Sequence, residues 1–485
     1  MIYRQYGKTG KKVSLLGMGG NRFNSNEYNT AKGFDKCSEL IVTAFENGIN
    51  YFDTAPLYCE GKSEEIFGAA FKNIKGDFYV STKTMVTMDP KADDVRRRIE
   101  LSLKKLNVDK IAFYHMWGIL NIDQYLQIIK PGGPYEGALK AKNEGLIEHI
   151  CFSTHCSGDE IERIVQEGYF EGITLGYNAI NFKFREKGLQ AAIKAGLGIV
   201  TMNPLGGGVI PQNAERFAFI KENDSQTIAQ AALLFNASQN GITVVLSGIS
   251  NEKELQEDLE CFKEEPAMSP ERVDKIKIKI DNSFDTLCNG CNYCKGCPEK
   301  IETNKLMLAY NQYILCNNNE EVLREYLKNV WNILPDDKFH CIDCKKCEIK
   351  CTQHIQITKR INEINKIADR YIEKYKKKLD ECFTANDAFK IGIYAAGPYA
   401  EHMLRLYEEI YGKPHFSISF FDSDPRKWGK EFYYQGTIIN PPDKIEELGI
   451  DRIIIASEAH YDEIYESLRY LEDRGIEILG FGGHK

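Results

Sequence analysis

Between Lys12 and Phe262 the sequence alternates, eight times, a short β-rich run with a segment of helical periodicity. The strand runs are VSLLGMG, NYFDTA, DFYVSTK, KIAFYHM, IEHICFS, GITLGYN, GIVTMN and ITVVLSG. Helical patterns follow near Lys36–Asn47, Ser63–Lys72, Asp93–Leu106, Tyr135–Glu144, Gly158–Glu167, Glu186–Ala195, Thr227–Ser238 and Asn251–Phe262. Eight strand–helix units in roughly 250 residues predict an α/β chain whose first part closes into a (β/α)8 TIM barrel. An open doubly wound sheet is the competing arrangement, and strand count and length argue against it.

A barrel gathers polar groups from the carboxyl ends of its strands at one mouth. Asp53 ends the second strand run, Lys83 the third and His115 the fourth, with Tyr58 in the loop beyond Asp53. An acid, an amine, an imidazole and a phenol there form a proton-transfer set. Asp53 and Lys83 would pair, and a charged Lys83 beside Tyr58 would lower the phenol pKa from about 10. Tyr58 then serves as general acid for a carbonyl oxygen, and His115 donates a second hydrogen bond to it.

The stretches GINYFDTAPLYCEGKSEEIFGAAF, VSTKT, FYHMW and NPLGGGVIP resemble the aldo/keto reductase family over about residues 1–270. The resemblance implies a catalytic tetrad of Asp53, Tyr58, Lys83 and His115, and hydride transfer between NADP(H) or NAD(H) and an aldehyde, ketone or the corresponding alcohol. A cofactor pyrophosphate is expected at Pro204, Leu205, Gly206, Gly207 and Gly208, where glycines admit backbone N–H groups. A phosphate is expected at Ser247, Gly248 and Ile249, before a helix N-terminus. Tyr177 resembles the family's nicotinamide-stacking aromatic and Ser153 a carboxamide contact. Thr154 and Thr174 depart from the amides that many members carry for that contact. Lys253 stands nearest the expected 2′-phosphate, so NADP is favoured over NAD.

Eight of the fifteen cysteines lie in two short windows. Cys288, Cys291, Cys294 and Cys297 form C-x2-C-x2-C-x2-C-P; Cys341, Cys344, Cys347 and Cys351 form C-x2-C-x2-C-x3-C-T. Three thiols at intervals of three wrap one cubane corner set, and the displaced fourth reaches the other cluster. By that pattern Cys288, Cys291, Cys294 and Cys351 hold one 4Fe–4S cluster, and Cys341, Cys344, Cys347 and Cys297 hold the second. Structural zinc is the alternative, although zinc usually takes separated C-x-x-C pairs. The helical connector between the windows resembles the all-helical ferredoxin domain, and the whole resembles a ferredoxin-bearing subgroup of the family. Such clusters would exchange electrons with an external carrier, sense oxygen or brace the fold.

The remaining chain supplies a charged helix, RINEINKIADRYIEKYKKKLDEC, read as a solvated spacer. A linker FTANDAF follows, then a strand–turn–helix beginning FKIGIYAAGPYAEHM. This resembles a small Rossmann-like domain with the fingerprint reduced to Ala395, Gly397 and Ala400, and Asp422 at the end of the next strand. Nucleotide binding is one reading of it, and a packing or partner-docking module is the other. The domains are therefore 1–270, 271–380 and 386–485. A net charge of −8 gives no reason to expect nucleic acid or an anionic membrane. The start carries no signal-peptide run and no window reaches about 18 apolar residues, so the chain reads as cytoplasmic. There clustered cysteines point to metal ligands or catalytic thiols rather than to disulfides. The expected function is a carbonyl-reducing, nicotinamide-dependent oxidoreductase acting on a small carbonyl or sugar-like substrate. The rival reading is a redox sensor or electron relay with a silent barrel.

Overall fold

The computed structural model describes residues 1–264, 268–283, 286–334, 336–383 and 389–481. The chain divides into two compact units, Met1–Asn319 with Ile342–Thr358, and Glu320–Cys341 with Lys359–Lys485. The stretch 271–380 is thus shared between the two units. Residues 384–388, inside the expected linker, lie outside the described residues.

In the first unit, β1 (Tyr3–Gln5) and β2 (Lys12–Ser14) form an antiparallel hairpin. Tyr6 follows β1 and is fully buried, its ring centroid 4.0 Å from that of Phe113. A Cβ at Gly198 would lie 2.0 Å from the Tyr6 ring, so only glycine lets the plug seat. The barrel strands are β3 (Leu16–Gly19), β4 (Tyr51–Asp53), β5 (Tyr79–Thr84), β6 (Ile111–Ile119), β7 (Ile147–Thr154), β8 (Gly172–Gly176), β9 (Gly198–Met202) and β10 (Val244–Ser247). They close in the order β10-β3-β4-β5-β6-β7-β8-β9, every pairing parallel. The (β/α)8 expectation holds. The run VSLLGMG splits, because Val13 and Ser14 pair with β1 before the chain enters the barrel at Leu16.

Alternation along each strand sorts the side chains. Tyr51, Phe113, Val200 and Val244 fill the barrel's inner cluster, while Phe52, Tyr114, Phe152, Ile199 and Val245 join the larger core with the helices. Two of those helices begin at strong caps. Ser157 and Glu160 form a capping box on Gly158–Gln166, as Thr227 and Gln230 do on Ile228–Ala237. Helices Pro270–Ser283 and Thr303–Leu315 continue the unit beyond the barrel.

The second unit holds a parallel sheet of β11 (Lys390–Tyr394), β12 (Ser417–Phe421), β13 (Ile439–Asn440), β14 (Arg452–Ile455) and β15 (Glu477–Gly480). Their order is β13-β12-β11-β14-β15. Helix Ile357–Phe383 corrects the spacer reading of the charged segment. It buries Ile361, Ile364, Ala368, Tyr371 and Leu379 at helical spacing, and Tyr371, Leu379 and Phe383 pack into one cluster with Ile391, Met403 and Phe420. Its charges conceal an apolar stripe. Among the described residues no helix is long and apolar enough to cross a membrane.

Candidate active site

Register sets the mouth. Asp53 pairs with Ser81, Lys83 with His115 and Ser153 with Thr174 across adjacent parallel strands. The Lys83 ammonium donates to both Asp53 carboxylate oxygens at 2.7 Å and to the Thr54 carbonyl at 2.6 Å. Those three acceptors use all three of its N–H groups. Both side chains of the pair are buried.

Tyr58 sits on a tight turn, followed by Cys59 at φ 51° and Glu60 at φ 56°. Such left-handed non-glycine residues are strained. The turn is pinned by the Cys59 thiol and the Ser63 hydroxyl, both donating to the Gly20 carbonyl. The Tyr58 ring lies with its centroid 5.0 Å from the Lys83 Nζ, and it meets Trp117 edge-on at 5.6 Å.

The expected downward pull on the phenol is not found. Burial, the Asp53 charge and Tyr293 hold the Tyr58 pKa well above its ordinary value. The amine lies against the ring with its donors engaged by Asp53 and Thr54, and Asp53 cancels its charge. Burial likewise lowers the Lys83 pKa against the opposing pull of Asp53.

His115 is fully buried, and burial together with Lys83 holds its pKa well below 6.5. Its Nδ1 lies 3.2 Å from the Ser81 hydroxyl, which donates to Asp53, and its Nε2 lies 3.1 Å from the Thr174 hydroxyl. Ser81 has one proton and gives it to the carboxylate. The network therefore assigns the imidazole proton to Nδ1, leaving Nε2 to accept from Thr174. This corrects the expectation that His115 offers a free N–H to the mouth. It also explains Thr174, whose hydroxyl fixes the imidazole. The other departure, Thr154, donates to the Ile119 carbonyl.

The expected cofactor residues divide. Ser153 is buried at the rim and accepts from the Gly118 N–H at 3.1 Å. Tyr177 does not face the mouth. It has no exposed surface, its hydroxyl donates to Glu186 at 2.6 Å, and Lys277 covers its ring at 5.9 Å. The half-buried apolar side chain that ends β9, packed against the barrel's inner cluster, is Met202. Sequence reading passed over it for lack of an aromatic ring.

Pro204 and Leu205 lead into Gly206–Gly208, where all three glycines have positive φ. Yet a Cβ at Gly207 would lie 2.1 Å from the Asn289 carbonyl oxygen. The close approach allowed there is that of the first cysteine run. At the end of β10, the Ser247 hydroxyl bonds Asp258, whose carboxyl burial pushes up to about 7. Ile249 is buried and Lys253 exposed. The N-terminus of helix Glu252–Cys261 is filled by the chain itself: Asn251 accepts from the Glu254 N–H, and the Glu254 carboxylate accepts from the Ser250 N–H. The missed cation is Arg22, exposed, with its Cγ 2.5 Å from where a Gly248 Cβ would stand.

The cysteine windows reach the barrel rim. Tyr293 meets His155 edge-on at 5.7 Å. Gln353 accepts from Asn181, His354 lies 2.8 Å from the His155 carbonyl oxygen, and the His354 ring stacks on Phe184 at 4.0 Å. Burial raises the Cys288 and Cys294 pKa values, to about 12 and about 11, and each is raised further by Cys291 and Cys351. Backbone N–H groups of Gly290 and Ile355 donate to the Cys288 and Cys351 sulfurs. Cys297, Cys341 and Cys347 are half-buried and Cys344 is exposed. Among the described residues no group of three His, Cys, Asp or Glu side chains is set to hold a single metal ion.

In the second unit, Ala395 takes φ 72° at the tip after β11. Asp422 accepts from Lys427 at 2.7 Å and from the Asp424 N–H at 2.9 Å, so its carboxylate is already partnered.

Comparison with known proteins agrees with the barrel. A probable voltage-gated potassium channel subunit beta of Arabidopsis thaliana is 25% identical over 340 residues, covering 58% of this chain and 97% of that protein. An L-galactose dehydrogenase of the same plant is 24% identical over 287 residues, 54% of this chain and 88% of its own length. The crystal structure of a thermostable aldo-keto reductase with the inhibitor epalrestat superposes with a TM-score of 0.50 at 22% identity, over 57% of this chain and 99% of that one. The profile of the Aldo/keto reductase family matches residues 15–281, more than half of the chain and all eight barrel strands. A match of that extent, over strands whose ends carry the four groups described above, makes this chain an oxidoreductase of the aldo/keto reductase family.

Proposed function

We propose that the chain is a cytoplasmic, NADP(H)-dependent reductase of a small aldehyde, ketone or open sugar, with two 4Fe–4S clusters beside the barrel. The observation that carries the carbonyl chemistry is the tyrosine ring set over a fully engaged Lys83–Asp53 pair. Tyr58, kept protonated, donates to the carbonyl oxygen. The buried ion pair holds the ring in place. His115, neutral and fixed by Ser81 and Thr174, is the positioning residue of the polar wall. NADP(H), when bound, supplies or accepts the hydride. Met202 and Ser153 fit its ring end, and Arg22 beside Gly248 fits its phosphates better than the self-capped helix does.

For the metal, the support is that Cys351, from the second window, is close enough to raise the pKa values of Cys288 and Cys294 of the first, as Cys291 does. That is the crossed ligand set expected of a ferredoxin-type pair, and N–H groups already point at two of the sulfurs. Cys341, Cys344, Cys347 and Cys297 are assigned to the other cluster by spacing, and a one-electron carrier is the expected partner. For residues 389–481 we propose a Rossmann-like module. The partnered state of Asp422 favours docking over nucleotide binding.

Anaerobic titration with NADPH and a panel of aldehydes and sugars tests the reading. Turnover is expected; tight NADPH binding without consumption would establish the sensor or relay alternative. Iron and acid-labile sulfide should approach about eight of each per chain, whereas stoichiometric zinc refutes the clusters.

A further inference from the structure

Arg185 lies in the first turn of helix Phe182–Ala195 and has no exposed surface. One terminal nitrogen, Nη2, donates to the Thr352 and His155 carbonyls. Its Nε and Nη1 have no partner, and no carboxylate is among the groups whose charge acts on it. A buried guanidinium with unpartnered N–H groups is costly, because neither water nor an anion replaces its lost hydration. The imidazole Nδ1 of His155, also buried, is likewise without a partner. Both groups stand beside Gly176: a Cβ there would lie 3.9 Å from the Arg185 Cζ and from the His155 Nδ1. The buried corner therefore holds the Arg185 charge with N–H groups short of acceptors, while burial keeps His155 neutral.

What adjoins it is the thiol set. Arg185 is bonded to Thr352, next in sequence to Cys351, and the Thr352 hydroxyl lies 3.2 Å from the Cys291 sulfur. We propose that Arg185 is the internal counter-ion of the 4Fe–4S cluster held by Cys288, Cys291, Cys294 and Cys351, offering its unpartnered N–H groups to sulfur and raising the cluster's reduction potential. This rests on the cluster reading above. A cluster with four thiolates is anionic, and taking up one electron adds one negative charge and breaks no bond. A fixed cation beside it therefore stabilises the reduced form more than the oxidised one.

The test is an anaerobic potentiometric titration of the holoprotein, followed by the electron paramagnetic resonance of the reduced cluster, with dithionite as the electron source. Arg185→Gln should keep its iron and sulfide while one cluster midpoint falls by at least 59 mV, a tenfold shift for a one-electron couple. Arg185→Lys, which keeps the charge, should fall by less than half as much. If Arg185→Gln does not fold, Arg185→Met carries the same expectation. Lys187→Gln, at an exposed site on the same helix, should leave both midpoints in place. An equal fall in Lys187→Gln, or an unmoved midpoint in Arg185→Gln, overturns the proposal. So does an unmoved midpoint with a raised KM for carboxylate-bearing aldehydes, which would assign the guanidinium to substrate. Wild-type protein without iron or sulfide refutes the cluster reading itself. Iron present with an unmoved midpoint refutes only the role of Arg185.

Discussion

Tyr58→Phe isolates the proposed proton donor, because it removes one oxygen and leaves the ring. The ring's described neighbours act on its face and edge: the Lys83 ammonium 5.0 Å from the centroid and Trp117 edge-on at 5.6 Å. Lys83 keeps all three of its acceptors in the variant. Folding stability should therefore change by less than about 1 kcal/mol. Turnover should not be spared. A positioned general acid contributes about 10²–10⁴ in rate, equivalent to about 2.7–5.4 kcal/mol of barrier. The phenol's raised pKa keeps it protonated through the neutral range. Carbonyl reduction by the wild type should accordingly be flat with pH there, whereas alcohol oxidation, which needs the phenolate, should rise with pH. Single-turnover decay of dihydropyridine absorbance reads the chemical step, and fluorescence titration reads NADPH affinity. A loss of less than tenfold in the chemical step, or a loss confined to NADPH affinity, would refute the assignment.

Other substitutions probe the rest of the first unit. Lys83→Met leaves the Asp53 carboxylate buried without its cation and should cost about 3–5 kcal/mol in urea unfolding. His115, held below its ordinary pKa, refuses a proton that the unfolded chain accepts below about pH 6.5. Stability should therefore fall as pH drops below that point, by about 1.4 kcal/mol per pH unit, and stay level above it. His115→Gln should remove one proton's share of that slope in urea midpoints. Gly207→Ala drives a Cβ into the Asn289 carbonyl at a φ of 70° and should displace the first cysteine run, lowering iron content as well as stability. Tyr293 lies close enough to raise the Tyr58 pKa while sitting between Cys291 and Cys294. Tyr293→Ala should raise the KM for carbonyl substrates several-fold with NADPH affinity unchanged; the reverse pattern would place Tyr293 at the nucleotide.

The barrel and the polar residues gathered at its mouth were legible in the residues alone. Eight alternations of strand and helix leave few ways to bury so many apolar faces, and strand ends locate Asp53, Lys83 and His115 by counting. Thiol spacing likewise singled out the two cysteine runs as candidates for metal, since intervals of three are a local property of the chain. Tertiary structure decided what each group is free to do. Only the fold showed that Lys83 has no N–H left for Tyr58, that Thr174 takes the His115 Nε2, and that Tyr177 is sealed beneath Lys277. Only the fold set Asn289 against Gly207, left Arg185 buried without an anion, and turned a charged helix into a core element through its isoleucine stripe. Periodicity and spacing are written along one dimension. Hydrogen-bond saturation, desolvation and close approach depend on residues distant in sequence meeting in space, and no local pattern encodes that meeting.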